Sequence, residues 1–193
     1  MTGDEAVVAI VRALDALAIP YMLSGSLATN VYGVPRATDD ADFVVELPAG
    51  CRIDDLTAHL PDGIRLEPQS RFETVTASTM RVFALRDSSF RLELFLLTDD
   101  AYDRERFSRR YRLETPFGAV WVPTVEDVVV NKLLWVSRAG RPKDRDDCRN
   151  VIAVQGPGID WCYVARWCDV HGTRTILDAI RSSIPTDLCG GSG

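Results

Sequence analysis

Histidine is scarce in this sequence and its cysteines are unpaired. The two histidines, His59 and His171, have no ligand-type neighbour at zinc spacing, which argues against a zinc site. The five cysteines (Cys51, Cys148, Cys162, Cys168 and Cys189) include no C-x-x-C and are odd in number. A disulfide framework is therefore not expected, and a reducing, cytoplasmic compartment is. Long apolar runs are missing too; each is short and broken by charge, so no membrane-spanning helix is expected. The opening stretch "MTGDEAVVAI" is acidic before it is apolar, the reverse of a secretory signal. No G-x-x-x-x-G-K-[S/T] occurs, which disfavours a P-loop NTPase, and the C-terminal part carries no clear recognition-helix signal for a DNA reader. Basic residues are in the minority, and the net charge of −6 argues against nucleic-acid binding through bulk charge. Two runs, "DRERFSRRYR" (103–112) and "SRAGRPKDRDDCR" (137–149), are nonetheless arginine-rich. Each fits a local basic patch or an ordinary solvated surface equally well.

What is present is a soluble globular composition: 193 residues, 46% hydrophobic and 26% charged. The length suits one domain, or a core with a small helical appendage. Residues 4–18 repeat apolar side chains at helical spacing and stop before Pro20. "YMLSG" reads as a short buried strand, "GSLATNVYG" as about two helical turns, and "DADFVVEL" as a strand. The stretch 48–78 is irregular, with a helical turn or two near 54–60. "MRVFALRD" and "FRLELFLL" alternate and predict an antiparallel hairpin, and "YRLETPFGAVWVP" predicts another. From Thr124 onward the pattern is helical. The expected architecture is an α/β core over 1–123, a helical segment over 124–185 and a disordered tail over 186–193.

The chemistry-bearing residues begin with three aspartates, Asp39, Asp40 and Asp42, at the mouth of an apolar strand. Alternate strand residues share a face, so Asp40 and Asp42 point one way with Val44, and Phe43 and Val45 point the other. In "FRLELFLL" the same rule puts Arg91, Glu93 and Phe95 on one face. If these strands pair, Glu93 lies beside Asp40 and Asp42, and the cluster suits Mg²⁺ or Mn²⁺. Taken alone, the D-x-D pattern also fits a loop cap with solvated acids. An acid within a second apolar strand weakens that alternative, because a buried carboxylate needs a partner.

Gly25 and Ser26 stand between the first strand and the short helix, where free N–H groups and a hydroxyl can hold a phosphate. The same pair is equally a plain helix cap. Lys132 falls in the middle of an apolar helical stripe formed by Val125, Val128, Val129, Trp135 and Val136. A lysine there either snorkels to the surface or turns inward to meet a triphosphate or a carboxylate. Asp144 and Asp147 share a helix face three residues apart, near a helix start where acids are favoured without any ligand. Lys132 could pair with one of them.

A Gly-Ser turn, a D-x-D strand and a later acidic strand together resemble the nucleotidyltransferase superfamily that includes DNA polymerase β. The stretch "YMLSGSLATNVYGVPRATDDADFVV" is similar to the AbiEii-type nucleotidyltransferase toxins, whose R-x-T-x-D-h-D run appears here as Arg36, Thr38, Asp40 and Asp42. "VPTVEDVVVNKLLWVSRAGRPKDRDDCRNVI" resembles the family's lysine helix and K-D-x-x-D segment, and the likeness covers residues 20 to about 153. Glu93 stands where many relatives have Asp, and Ala41 replaces a larger apolar residue at the centre of D-x-D.

The resemblance implies the nucleotidyltransferase fold, a mixed and mostly antiparallel sheet flanked by helices. It implies transfer of a nucleoside monophosphate from an NTP to RNA, typically a tRNA 3′ end, or to a protein hydroxyl. In that scheme Asp40, Asp42 and Glu93 hold two Mg²⁺ ions about 3.5–4 Å apart, with Glu93 as base. Gly25, Ser26, Lys132, Asp144 and Asp147 then serve the nucleotide. A cognate antitoxin is an implied partner, and a membrane is not. Two other readings use the same sequence: a small-molecule, antibiotic-modifying nucleotidyltransferase, and a non-catalytic partner-binding module offering Trp121, Trp135, Trp161 and Trp167 as surface.

Overall fold

A computed structural model describes residues 1–185. The expected tail, and Cys189 with it, lies outside the described residues. The chain divides into two units, one formed by 1–27 and 37–123, the other by 28–36 and 124 onward.

The first unit is built on a mixed sheet. Helix α1 (Gly3–Ala16) opens it, started by a reciprocal cap in which Thr2 Oγ1 accepts from the Glu5 amide and Glu5 Oε2 accepts from the Thr2 amide. Strand β1 (Tyr21–Ser24) follows, and β2 (Asp40–Val45) pairs with it in antiparallel fashion. After a 3₁₀ segment at Ile53–His59 come β3 (Ile64–Leu66), β4 (Arg71–Glu73), β5 (Ser78–Leu85) and β6 (Arg91–Leu96). The sheet order is β1-β2-β6-β5-β3, with β4 also on β5. β5 and β6 form an antiparallel pair, whereas β2 and β6 run parallel. Helix α3 (Ala101–Ser108) and a two-stranded ribbon, β7 (Tyr111–Thr115) with β8 (Gly118–Val122), complete the unit.

Alternation decides which side of this sheet is core. Ala41, Phe43, Val45, Leu92 and Leu94 project from one face and are fully buried. On the opposite face Val44, Met22 and Phe107 form a smaller apolar cluster, joined by Phe95 and Leu97. That cluster occupies only one end of the face. The other end belongs to Asp40, Asp42 and Glu93.

The second unit is helical. The end of α2 (Gly25–Tyr32) joins α4 (Val125–Ala139), α5 (Pro142–Gln155), α6 (Trp161–His171) and α7 (Arg174–Ser182). Each boundary has a local cause: Thr124 and Asp160 cap the starts of α4 and α6, Pro142 sits in the first turn of α5, and Gly140 and Gly172 end α4 and α6 in the left-handed region. Among the described residues no helix is long and apolar enough to cross a membrane.

Candidate active site

In the first unit the register places the acids. Asp42 stands opposite Glu93 across the parallel β2–β6 pair, and opposite Ser24 across the β1–β2 pair. Val82 of β5 continues the same row. One transverse line of the sheet therefore reads Ser24, Asp42, Glu93, Val82, with Asp40 one step along on the same face. Parallel pairing brings together carboxylates that are 51 residues apart in the chain (42 to 93).

The Glu93 carboxyl registers this setting. Burial raises its pKa first, and the negative charge of Asp40 raises it further; Arg71 and a hydrogen bond with Asp42 pull the other way. Asp40 is held from the other side, where Thr38 Oγ1 donates to its Oδ1 at 2.6 Å. The two arms of R-x-T-x-D are thus linked within the strand mouth. Arg71 itself is ion-paired to Glu67 at 2.6 Å, and Glu67 also faces Arg91 at 3.8 Å. These residues flank the trio on the β5 side. Arg71 and Glu67 lie in the stretch whose pattern is hardest to read, and no sequence signal marks them.

Gly25 is the tightest part of the arrangement. It has φ +57°, in the left-handed region, and a β-carbon added there would overlap the Asp42 carboxylate. The turn after β1 therefore comes down directly on the acid, an approach open only to glycine. Ser26, next in the chain, is buried at the start of α2.

Among the described residues, no three His, Cys, Asp or Glu side chains are drawn close enough to make a ready metal cage. The donor chemistry is nonetheless of the kind a hard divalent cation takes, three carboxylates on one sheet face with a hydrogen bond between Asp42 and Glu93, and Gly25 gives room to the Asp42 carboxylate itself. Mutual repulsion among them is what a cation would relieve.

The other residues singled out in the sequence form a separate cluster in the second unit. Lys132 is buried and donates to Asp144 Oδ1 at 2.9 Å and to Asp147 Oδ2 at 2.8 Å. Of the two inward partners the sequence left open, the structure supplies the carboxylate. Asp144 also accepts from Arg141 Nε at 2.7 Å, and Asp147 accepts from both Nε and an Nη of Arg36 at 2.8 Å each. Burial alone would raise the Asp147 pKa, but its bonds to Arg36 and Lys132 outweigh that and hold it below the ordinary value.

No family model matches the sequence, and no curated protein does. Solved structures do. The chain resembles an antigenic nucleotidyltransferase-like protein from Paracoccidioides brasiliensis, with a TM-score of 0.59 and 20% identity over 94% of this chain and 93% of that one. It also resembles ANT(2″)-Ia in complex with adenylyl-2″-tobramycin, with a TM-score of 0.58 and 17% identity over 91% of this chain and 99% of that one. A solution structure of the antibiotic-resistance factor ANT(2″)-Ia matches with a TM-score of 0.53 and 16% identity, covering 93% and 95%. The fold is that of the nucleotidyltransferases, a mixed α/β sheet with flanking helices.

Proposed function

We propose that this protein transfers a nucleoside monophosphate from an NTP to a hydroxyl acceptor, with Asp40, Asp42 and Glu93 as the catalytic acids. The observation that carries the reading is the single row of the sheet on which Gly25 admits the Asp42 carboxylate and Asp42 faces Glu93. A solvated loop cap needs neither the glycine contact nor a second acid on a paired strand.

Asp40, Asp42 and Glu93 would hold Mg²⁺ or Mn²⁺. When bound there, divalent ions neutralise charge on the triphosphate and acidify the acceptor hydroxyl. Glu93 accepts the acceptor's proton, and the hydroxyl oxygen forms the new bond to the α-phosphorus. The bond from that phosphorus to its bridging oxygen breaks, and pyrophosphate leaves with the electron pair. Backbone N–H groups at Gly25 and Ser26, at the positive end of α2, would hold the phosphates.

The AbiEii-type resemblance makes a toxin acting on RNA or on a protein hydroxyl the finer reading, with a cognate antitoxin as partner. Two features favour a protein over RNA: the net charge of −6, and the engagement of Arg104, Arg106 and Arg112 with acidic partners. A small-molecule acceptor is the second reading, favoured by the coverage of nearly all of ANT(2″)-Ia, whose complex contains an adenylylated aminoglycoside.

The test is incubation with each α-labelled NTP, Mg²⁺ or Mn²⁺, and in turn tRNA, a protein mixture and an aminoglycoside, beside the Asp40→Ala/Asp42→Ala variant. Label transferred by the wild type alone supports the reading and identifies the acceptor class. Equal labelling by the variant overturns it. Metal-dependent NTP binding by calorimetry separates an enzyme lacking its acceptor from a non-catalytic module, which would bind neither.

A further inference from the structure

We propose that Arg71 is an acceptor-binding residue, and that the acceptor hydroxyl is flanked by a carboxylate which Arg71 takes; this rests on the transfer reading above. The sheet of the first unit places the residue. The Glu67 amide donates to the Val82 carbonyl at 2.8 Å, one step beyond the pairing of Leu66 with Phe83, so Glu67 joins the row of Asp42, Glu93 and Val82. Two residues along β5 from Val82, Arg71 stands opposite Met80, and Met80 opposite Phe95. Paired residues share a face and so do alternate ones, so Arg71 rises on the side of the sheet that carries Glu93. Gly25 comes down on Asp42 from the opposite, β1 side. A triphosphate held at that turn leaves the β5 side of Glu93 for the acceptor.

Arg71 is half exposed and donates from one Nη to Glu67 Oε2 at 2.6 Å, so the group it already holds is a carboxylate. Glu67 in turn lies between two guanidiniums, with Arg91 Nε 3.8 Å from its Oε1. An acceptor carboxylate can therefore replace Glu67 on Arg71 while Glu67 keeps Arg91. An exposed pair of this kind resists exchange by no more than about fivefold. Arg91 is the poorer acceptor contact, because one of its Nη atoms donates to the carbonyls of Ser88, Ser89 and Phe90 and holds the β5–β6 turn.

Spacing sets the size of the acceptor. Two strand spacings and two residues separate the Cα atoms of Glu93 and Arg71 by about 12 Å. The arginine side chain spans part of that gap. Burial and Asp40 raise the Glu93 pKa, and the Arg71 charge is near enough to oppose that rise. A hydroxyl at Glu93 and a carboxylate at Arg71 thus belong to one small segment, such as a serine or threonine beside an acidic residue in a peptide. The planar fork of a guanidinium suits a carboxylate. One such contact is not the track of cations that a nucleic-acid backbone requires.

The experiment offers capped tetrapeptides, in which serine is followed by glutamate, glutamine or phosphoserine, to the full chain and to its Arg71→Gln, Glu67→Gln and Arg112→Gln variants. Binding is read from the amide chemical shifts of residues 67–71 and 93, and transfer from α-labelled NTP. The glutamate peptide binds the wild type about tenfold tighter than the glutamine peptide, as a charge-assisted hydrogen bond provides. Arg71→Gln abolishes that preference and raises the acceptor KM about tenfold, while KM for the NTP stays within about twofold. Glu67→Gln, which releases Arg71, tightens binding of the glutamate peptide by up to about fivefold. Arg112→Gln, which breaks the exposed pair to Asp15, behaves as wild type. Equal weakening in Arg71→Gln and Glu67→Gln, tracking Tm, would make the pair merely structural and overturn the proposal. No preference for the glutamate peptide, or one that survives in Arg71→Gln, would overturn it as well. Binding of the phosphoserine peptide more than about tenfold tighter than the glutamate peptide would move the class to phosphate and overturn the carboxylate assignment. If the wild type labels no acceptor, the transfer reading fails, and the shift measurement still decides whether Arg71 takes a carboxylate.

Discussion

At the scale of single residues, Gly25 is the most constrained position in the candidate site. Its φ of +57° costs an L-residue roughly 1–2 kcal/mol, and a methyl group there would also meet the Asp42 carboxylate. The clash cannot be relieved by a flexible side-chain end, since Asp42 is short and fixed in a strand row. Gly25→Ala is therefore expected to displace Asp42 and lower transfer by about 10²-fold, together with a loss of Tm from the strained backbone. Wild-type turnover in Gly25→Ala would show that Asp42 does not need its observed place. The alternation of "DADFVV" and "FRLELFLL" is enough to put Asp40 and Asp42 on one strand face and to mark Glu93 as an acid among apolar neighbours. The Gly25 contact is not legible in the same way, because a glycine before a serine reads equally as a cap. Nor are Arg71 and Glu67, which reach the acids only through pairing of a three-residue strand with β5.

At the scale of elements, α4 and α5 are bound by charge as well as by apolar packing. Removing the cation from a buried pair costs up to about 3–5 kcal/mol, and here Arg141 and Arg36 would still hold Asp144 and Asp147. Lys132→Ala should accordingly lower the urea midpoint clearly, whereas Arg112→Ala, which breaks the exposed pair to Asp15, should change the unfolding free energy by less than about 1 kcal/mol. Equal effects would mean that burial contributes nothing to the α4–α5 cluster. The depressed pKa of Asp147 adds a pH signature. A carboxyl whose folded value lies below its ordinary 3.8 stabilises the fold fully above that value, and the contribution fades as pH falls through the folded value. Urea midpoints at pH 7, 4 and 3 should therefore fall more steeply in wild type than in Asp147→Asn; parallel curves would count against the assignment. Apolar periodicity reveals Lys132 as an anomaly within α4. It cannot reveal Arg36 as a member of the same cluster, since its link to α5 spans 111 residues from Arg36 to Asp147.

At the scale of the whole molecule, the open matter is the acceptor, and charge bears on it directly. An RNA held along its backbone requires several cations presented to phosphates, each adding about −0.7 to the slope of log affinity against log salt for a single strand. The sequence offers two arginine runs for that role; the first is largely committed elsewhere and the second in part. Arg104 bonds Glu46 and Asp99, Arg106 bonds Asp103, Arg112 approaches Asp15, and Arg110 stacks on Phe107 at 3.9 Å. In the second run Arg141 bonds Asp144 and lies over Trp135 at 4.2 Å, and Arg149 donates to the Ser183 carbonyl. Recruiting them to phosphate would break these interactions first. Against a net charge of −6, the expectation is weak tRNA binding with a slope shallower than about −1.4, equivalent to two phosphates or fewer. Fluorescence anisotropy with labelled tRNA between about 50 and 200 mM salt measures it. A slope of about −3 or steeper would mean that the arginines abandon their internal partners on binding, and would move the acceptor to RNA. A shallow slope with efficient labelling of a protein or an aminoglycoside would identify an enzyme whose acceptor is recognised by shape and hydrogen bonding beside Glu93, not by its backbone charge.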